Sequence, residues 1–181
     1  MVGSKGLFDK WFRRTKAEAR NAFDPRRVAR ARARLDVGEF AGALSDCDAV
    51  LATQPTHYDT LLVKGSALFH LGRVTEALQI YDVLADLKSD PYLHVWRALC
   101  LQTLGRLPEG RIAADAALRL DPYRVDALQI RAQLLWAMGD KQAAMIDLES
   151  ALLGARDKKP LLRLKAEAPV RFAALARLGA V

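Results

Sequence analysis

Cysteine is nearly absent: the 181 residues hold two, Cys47 and Cys100, each in an apolar, helix-like context. Two separated thiols make no disulfide framework, so the chain reads as one kept reduced, in a cytoplasmic setting. Histidine is equally sparse. His57, His70 and His94 stand far apart with no cysteine or carboxylate at metal-ligand spacing, so no metal, no cofactor and no catalytic constellation is expected, and the chain reads as a non-enzyme. The stretch "VKGSALFHLG" has a Lys-Gly-Ser order, but without a glycine-rich loop it is no phosphate cradle. Long apolar runs are missing as well. No stretch reaches the ~20 apolar residues that span a bilayer, and "GLFDKWFRRTK" is broken by charge every few residues, unlike a secretory leader.

Charge is present in quantity but unevenly placed. The net of +7 is concentrated at the ends: residues 1–35 carry +8 and residues 156–181 carry +5, leaving −6 for the middle. A mildly acidic body between basic ends is not the footprint of a protein that wraps nucleic acid along its length.

The middle is periodic. Gly38, Gly72, Gly105 and Gly139 are separated by 34, 33 and 34 residues, each between apolar, helix-forming stretches. Seven residues before them stand Ala31, Gly65, Ala98 and Ala132; five after them stand Ala43, Ala77, Gly110 and Ala144; twelve after them stand Val50, Leu84, Ala117 and Ala151. Small residues at helical spacing on both sides of a turn let two antiparallel helices approach closely. Each unit therefore reads as a helical hairpin whose turn glycine ends the first helix at positive φ. Helices are predicted at about residues 25–37, 41–53, 58–71, 75–87, 91–104, 108–119, 125–138 and 142–154, with Pro55, Pro91 and Pro122 near unit boundaries.

With Leu128, Ala132, Leu135, Gly139, Ala144, Leu148 and Ala151 in the fourth unit, and Leu61, Gly65, Leu68, Gly72, Ala77 and Tyr81 in the second, the pattern resembles the tetratricopeptide repeat (TPR) family. The third unit departs at His94 and Gly110, and the first has Arg27 and Arg34 in place of apolar signature residues. The resemblance implies an all-α fold: a right-handed helical-hairpin solenoid of about four repeats with capping helices. It covers residues 24–157, in units near 24–57, 58–90, 91–124 and 125–157.

The resemblance also implies that the first helix of each hairpin lines a concave groove for a protein or peptide partner. Carried onto this chain, the groove positions are Leu62, Val63, Phe69, Val95, Trp96, Leu99, Gln129, Ile130, Gln133 and Trp136. That surface is apolar where a clamp for a peptide carboxylate would need basic and amide groups, so it suits an apolar or amphipathic segment. The competing reading makes the same residues hairpin core. Arg30, Lys64, Arg97 and Arg131, each eight residues before a glycine, are expected to cover the seam and meet Asp46, Asp82, Asp115 or Asp147 on the following helix.

At the N-terminus, residues 1–23 place Phe8, Trp11, Phe12 and Phe23 on one helical stripe beside Arg13, Arg14 and Arg20. Such a basic amphipathic helix caps the first hairpin or docks on an anionic membrane or a partner. The run continues with Arg27, Arg30, Arg32 and Arg34, a basic surface that could hold RNA or lipid head groups by charge alone. Residues 158–181 read as C-terminal capping helices. Three functional readings stay open: an adaptor or assembly scaffold holding a segment in the groove, a nucleic-acid accessory protein, and a scaffold peripheral to a membrane.

Overall fold

In the computed structural model, described over residues 24–154, eight α-helices follow one another and no strand occurs among the described residues. They are α1 Pro25–Asp36, α2 Phe40–Leu51, α3 Tyr58–His70, α4 Val74–Leu87, α5 Pro91–Thr103, α6 Leu107–Leu120, α7 Val125–Ala137 and α8 Lys141–Gly154. The predicted boundaries hold to within two residues. The expected N-terminal helix or cap at residues 1–23 and the C-terminal caps at 158–181 lie outside the described residues. Two compact units divide between Ala67 and Leu68. Among the described residues no helix is long and apolar enough to cross a membrane.

The glycines end helices as their spacing demands. Gly38, Gly72, Gly105 and Gly139 have φ of 81°, 76°, 73° and 95°. In each turn the residue after the glycine donates its N–H five residues back, as Arg73 does to Leu68 O at 2.9 Å and Arg106 to Leu101 O at 2.9 Å. The glycine itself donates to the carbonyl three residues before it. This pair of bonds satisfies carbonyls that a helix end otherwise leaves open, and the left-handed turn it needs is cheap only for glycine. Helix starts are set by aspartates before prolines: Asp24 and Asp90 accept from the N–H of Arg26 and Tyr92 at 3.0 and 2.9 Å, with Pro25 and Pro91 at the first helical position. For α3 a histidine serves, since His57 Nδ1 accepts the Thr60 N–H at 3.3 Å and lies 2.8 Å from Thr60 Oγ1.

In the first unit the buried core joins Ala31 of α1, Cys47 of α2 and Val63 of α3, with Leu35 against it. In the second unit α5 packs on α6 and α7 on α8, while α4 lies on α5 and α6 on α7. Ala98, Ala132, Ala144, Ala117 and Ala151 are fully buried, as close-packed seams require. Gly110 takes the small-residue position of α6 in a tight spot: a Cβ there would meet Leu134 Cδ2 at 3.1 Å and the Ala98 carbonyl at 3.4 Å.

Candidate functional site

The groove positions of the second unit separate into two sets. Phe69, Trp96, Leu99, Gln133 and Trp136 are half-buried, as is Gln129. Val95 and Ile130 are core residues instead, 6% and 8% exposed. In the first unit Leu62 is half-buried, whereas Val63, at 3% exposed, packs on Ala31 and Cys47. The assignment of Val63, Val95 and Ile130 to a ligand surface is therefore corrected. A first helix is covered by its own hairpin partner and by the hairpin before it, so its buried arc is wider than an isolated hairpin suggests. Val63 reaches the preceding hairpin directly, and Val95 stands three residues before the seam residue Ala98, on the same side of α5.

Trp96 anchors an aromatic cluster. Its ring stacks on Tyr81 of α4 at 5.4 Å and 11° between planes, and meets Phe69 and Tyr92 edge-on at 5.5 and 6.1 Å. Tyr81 is 1% exposed, and burial pushes its hydroxyl pKa far up, so the platform under Trp96 stays neutral. Trp96 thus has one face in the core and part of its surface free. Trp136 leans on the buried cluster of Ala132, Ala144 and Leu148, and the Lys141 ammonium sits 5.6 Å from its ring centre. Between them Gln102 donates to Gln133 at 2.9 Å, tying α5 to α7 across the row of first helices.

Two of the four described basic candidates are committed to carboxylates. Arg30 and Arg34 converge on Asp46, itself 5% exposed: Arg30 Nε donates at 2.8 Å and Arg34 Nη1 at 2.8 Å. Hydrogen bonding from Arg30 is the main force holding the Asp46 carboxyl below its ordinary pKa, helped by charge from Arg30 and Arg34 against the cost of burial. Arg30 and Arg34 of the expected basic surface are thus bound to a carboxylate, although the Arg30 side chain stays 54% exposed. Arg27 is half-buried and Arg32 exposed; Arg13, Arg14 and Arg20 lie outside the described residues.

The cations eight residues before each glycine pair in both directions. Arg30 meets Asp46 on the following helix, but Lys64 reaches back to Asp48 at 2.7 Å and Arg97 back to Asp82 at 2.6 Å. Arg131 does both, holding Asp147 at 2.6 Å and Asp115 at 2.9 Å. The expectation of a following-helix partner was thus half of the pattern. Acids ten residues after a glycine, Asp48, Asp82 and Asp115, tie each hairpin to the next first helix. Their 16-residue or 15-residue offset to the cation is the signal that could have found them.

Profiles described as tetratricopeptide repeat match residues 28–94 and 125–153. The chain belongs to the tetratricopeptide repeat family. Over 103 residues it is 36% identical to "Protein CTR9 homolog" of Arabidopsis thaliana, covering 56% of this chain and 9% of that protein. It is also 30% identical over 104 residues to "Outer dynein arm-docking complex subunit 4" of Mus musculus, covering 57% of this chain and 16% of that one. The chain therefore spans a small fraction of the curated relatives it matches. Among solved structures, the MamA segment "41-end" from Desulfovibrio magneticus RS-1 superposes with a TM-score of 0.70 at 18% identity, covering 88% of this chain and 99% of that one. A thermophilic TPR protein of Thermus thermophilus gives 0.64 at 22% identity, covering 80% and 77%. These likenesses show the helical-repeat fold. TPR proteins are, as a class, non-catalytic adaptors for protein partners, and this chain shares their architecture.

Proposed function

We propose that this TPR protein is a non-catalytic adaptor that seats an apolar or amphipathic segment of a protein partner on the first helices of its second unit. The observation that carries the reading is the row of half-buried Phe69, Trp96, Leu99 and Trp136, which hairpin packing alone leaves incompletely covered. Aromatic rings fixed by their neighbours lose little freedom on binding, which makes them efficient anchors. The Gln102–Gln133 pair supplies an amide rim that can register an amphipathic helix. Charge-driven binding of RNA or membrane gains less from Arg30 and Arg34 than their number suggests, because both are bound to Asp46.

Trp96 stacks on the buried Tyr81 and Trp136 leans on a buried cluster, so the test pairs Trp136 with Leu99 and reads folding beside binding. Peptides selected from a displayed helical library against the full chain should lose binding to the variant carrying Leu99→Arg and Trp136→Ala, with helical circular dichroism unchanged. Selected peptides that bind the variant as well as the parent would place the contact elsewhere.

A further inference from the structure

Helices α4, α5 and α6 enclose a second cleft, of about 410 Å³, made of side chains the aromatic row does not use. Three guanidinium groups line it. Arg97 is bound to Asp82 at 2.6 Å and Arg106 to Glu109 through two hydrogen bonds, one at 2.8 Å. Arg119 has no carboxylate partner among the described residues, so the lining keeps one positive charge in surplus. His94 shares the cleft, and its Nδ1 is buried without a hydrogen-bond partner. The seclusion of Nδ1 leaves Nε2 as the ring nitrogen that a ligand can reach. Burial, then the charges of Arg97 and Arg119, hold the His94 pKa below its ordinary value, so the ring is neutral at pH 7. Apolar surface completes the wall: Leu78 and Leu101 are buried, and Ile112 is 58% exposed.

We propose that this cleft binds one oxyanion, a carboxylate or a phosphate ester, carried on an apolar stem. The anion lies between the Arg119 guanidinium and the Nε2–H of His94, and the stem lies against Ile112. A single negative charge meets the surplus left by the two internal ion pairs. Desolvation of the stem adds to what a charge-assisted bond supplies at a half-open site.

Benzoate and phenyl phosphate, with phenol as the uncharged control, are titrated into the full chain at low salt while the imidazole ¹⁵N resonances are followed. At least one of the two anions shifts His94 saturably, and phenol does not. Which anion does so identifies the oxyanion. The bound anion also raises the His94 pKa, because it offsets Arg97 and Arg119, whose charges lower it against the opposing pull of Asp90, while Arg106, Asp82 and Glu109 line the same cleft in ion pairs of their own. Loss of a charge-assisted bond makes Arg119→Gln weaken binding by about 10-fold or more, and Ile112→Ser weakens both anions while sparing the fold. No saturable shift into the tens of millimolar would overturn the assignment. So would undiminished binding by Arg119→Gln, or equal shifts of His57, His70 and His94, the mark of a diffuse ion atmosphere.

Discussion

At the scale of single residues, three glycines separate conformational strain from lack of space. Gly72 has φ of 76° and open surroundings, with nothing within 4 Å of an added Cβ. Gly72→Ala should therefore cost about 1–2 kcal/mol through backbone strain alone, and Gly72→Asn less, since asparagine tolerates the left-handed region. Gly110 is an ordinary helical residue with little room. Gly110→Ala gains about 1 kcal/mol of helix propensity but presses on Leu134, which is fully buried and cannot swing away. A net loss in the denaturant midpoint is expected. At Gly42 the obstacle at 3.2 Å is the Arg34 stem, whose side chain is 35% exposed and can yield, so Gly42→Ala should raise the midpoint. Equal effects at Gly42 and Gly110 would show that propensity, not packing, governs both.

At the scale of helices, the ion pairs divide into surface pairs of small value and two buried aspartates that depend on their arginines. Asp147 is 5% exposed and held by Arg131. Arg131→Leu leaves that carboxylate without its cation, while Asp115 keeps Arg111, at a cost on the order of 3 kcal/mol, and the double change Arg131→Leu with Asp147→Leu should recover most of it. Asp46 makes the same point through pH. Its pKa is depressed on folding from the ordinary 3.8, so the unfolded chain takes up the proton first as acid is added. The stabilisation is complete above about pH 4 and is lost as pH falls through the folded value. Asp46→Asn should accordingly be less stable than the parent at pH 7, with the gap closing at low pH; a constant gap across acid titration would contradict it. The hairpins themselves were legible because a 34-residue glycine spacing and small seam residues are one-dimensional signals of turn and contact. What could not be read was the side of the first helix that meets the preceding hairpin. That is why Val63, Val95 and Ile130 were expected on a binding surface and are in the core. The backward reach of Lys64 and Arg97 escaped for the same reason: a hydrophobic period describes one helix pair, whereas these contacts belong to the joint between pairs. His57 as a helix cap was hidden because histidine is not a usual capping type.

At the scale of the whole molecule, repeat proteins distribute stability over neighbours, so their parts need not open together. Cys47 lies in the first compact unit and Cys100 in the second, and neither has measurable exposure. Burial, with nearby Asp48 for Cys47 and Asp82 for Cys100, pushes both thiols up to about 12. At neutral pH neither sulfur reacts until its surroundings separate. The chain therefore carries two internal stopwatches, one for each unit. Alkylation at pH 8, read by mass spectrometry of peptides around each cysteine, should be slow in the folded chain and fast in denaturant. If the units melt as one, both clocks keep the same time across a urea series. If they melt separately, Arg34→Leu should quicken Cys47 and leave Cys100 unchanged, and Gly110→Ala should do the reverse. Thiol scarcity, which at first only ruled out disulfides, thus makes each unit's opening a time that can be read without adding a label.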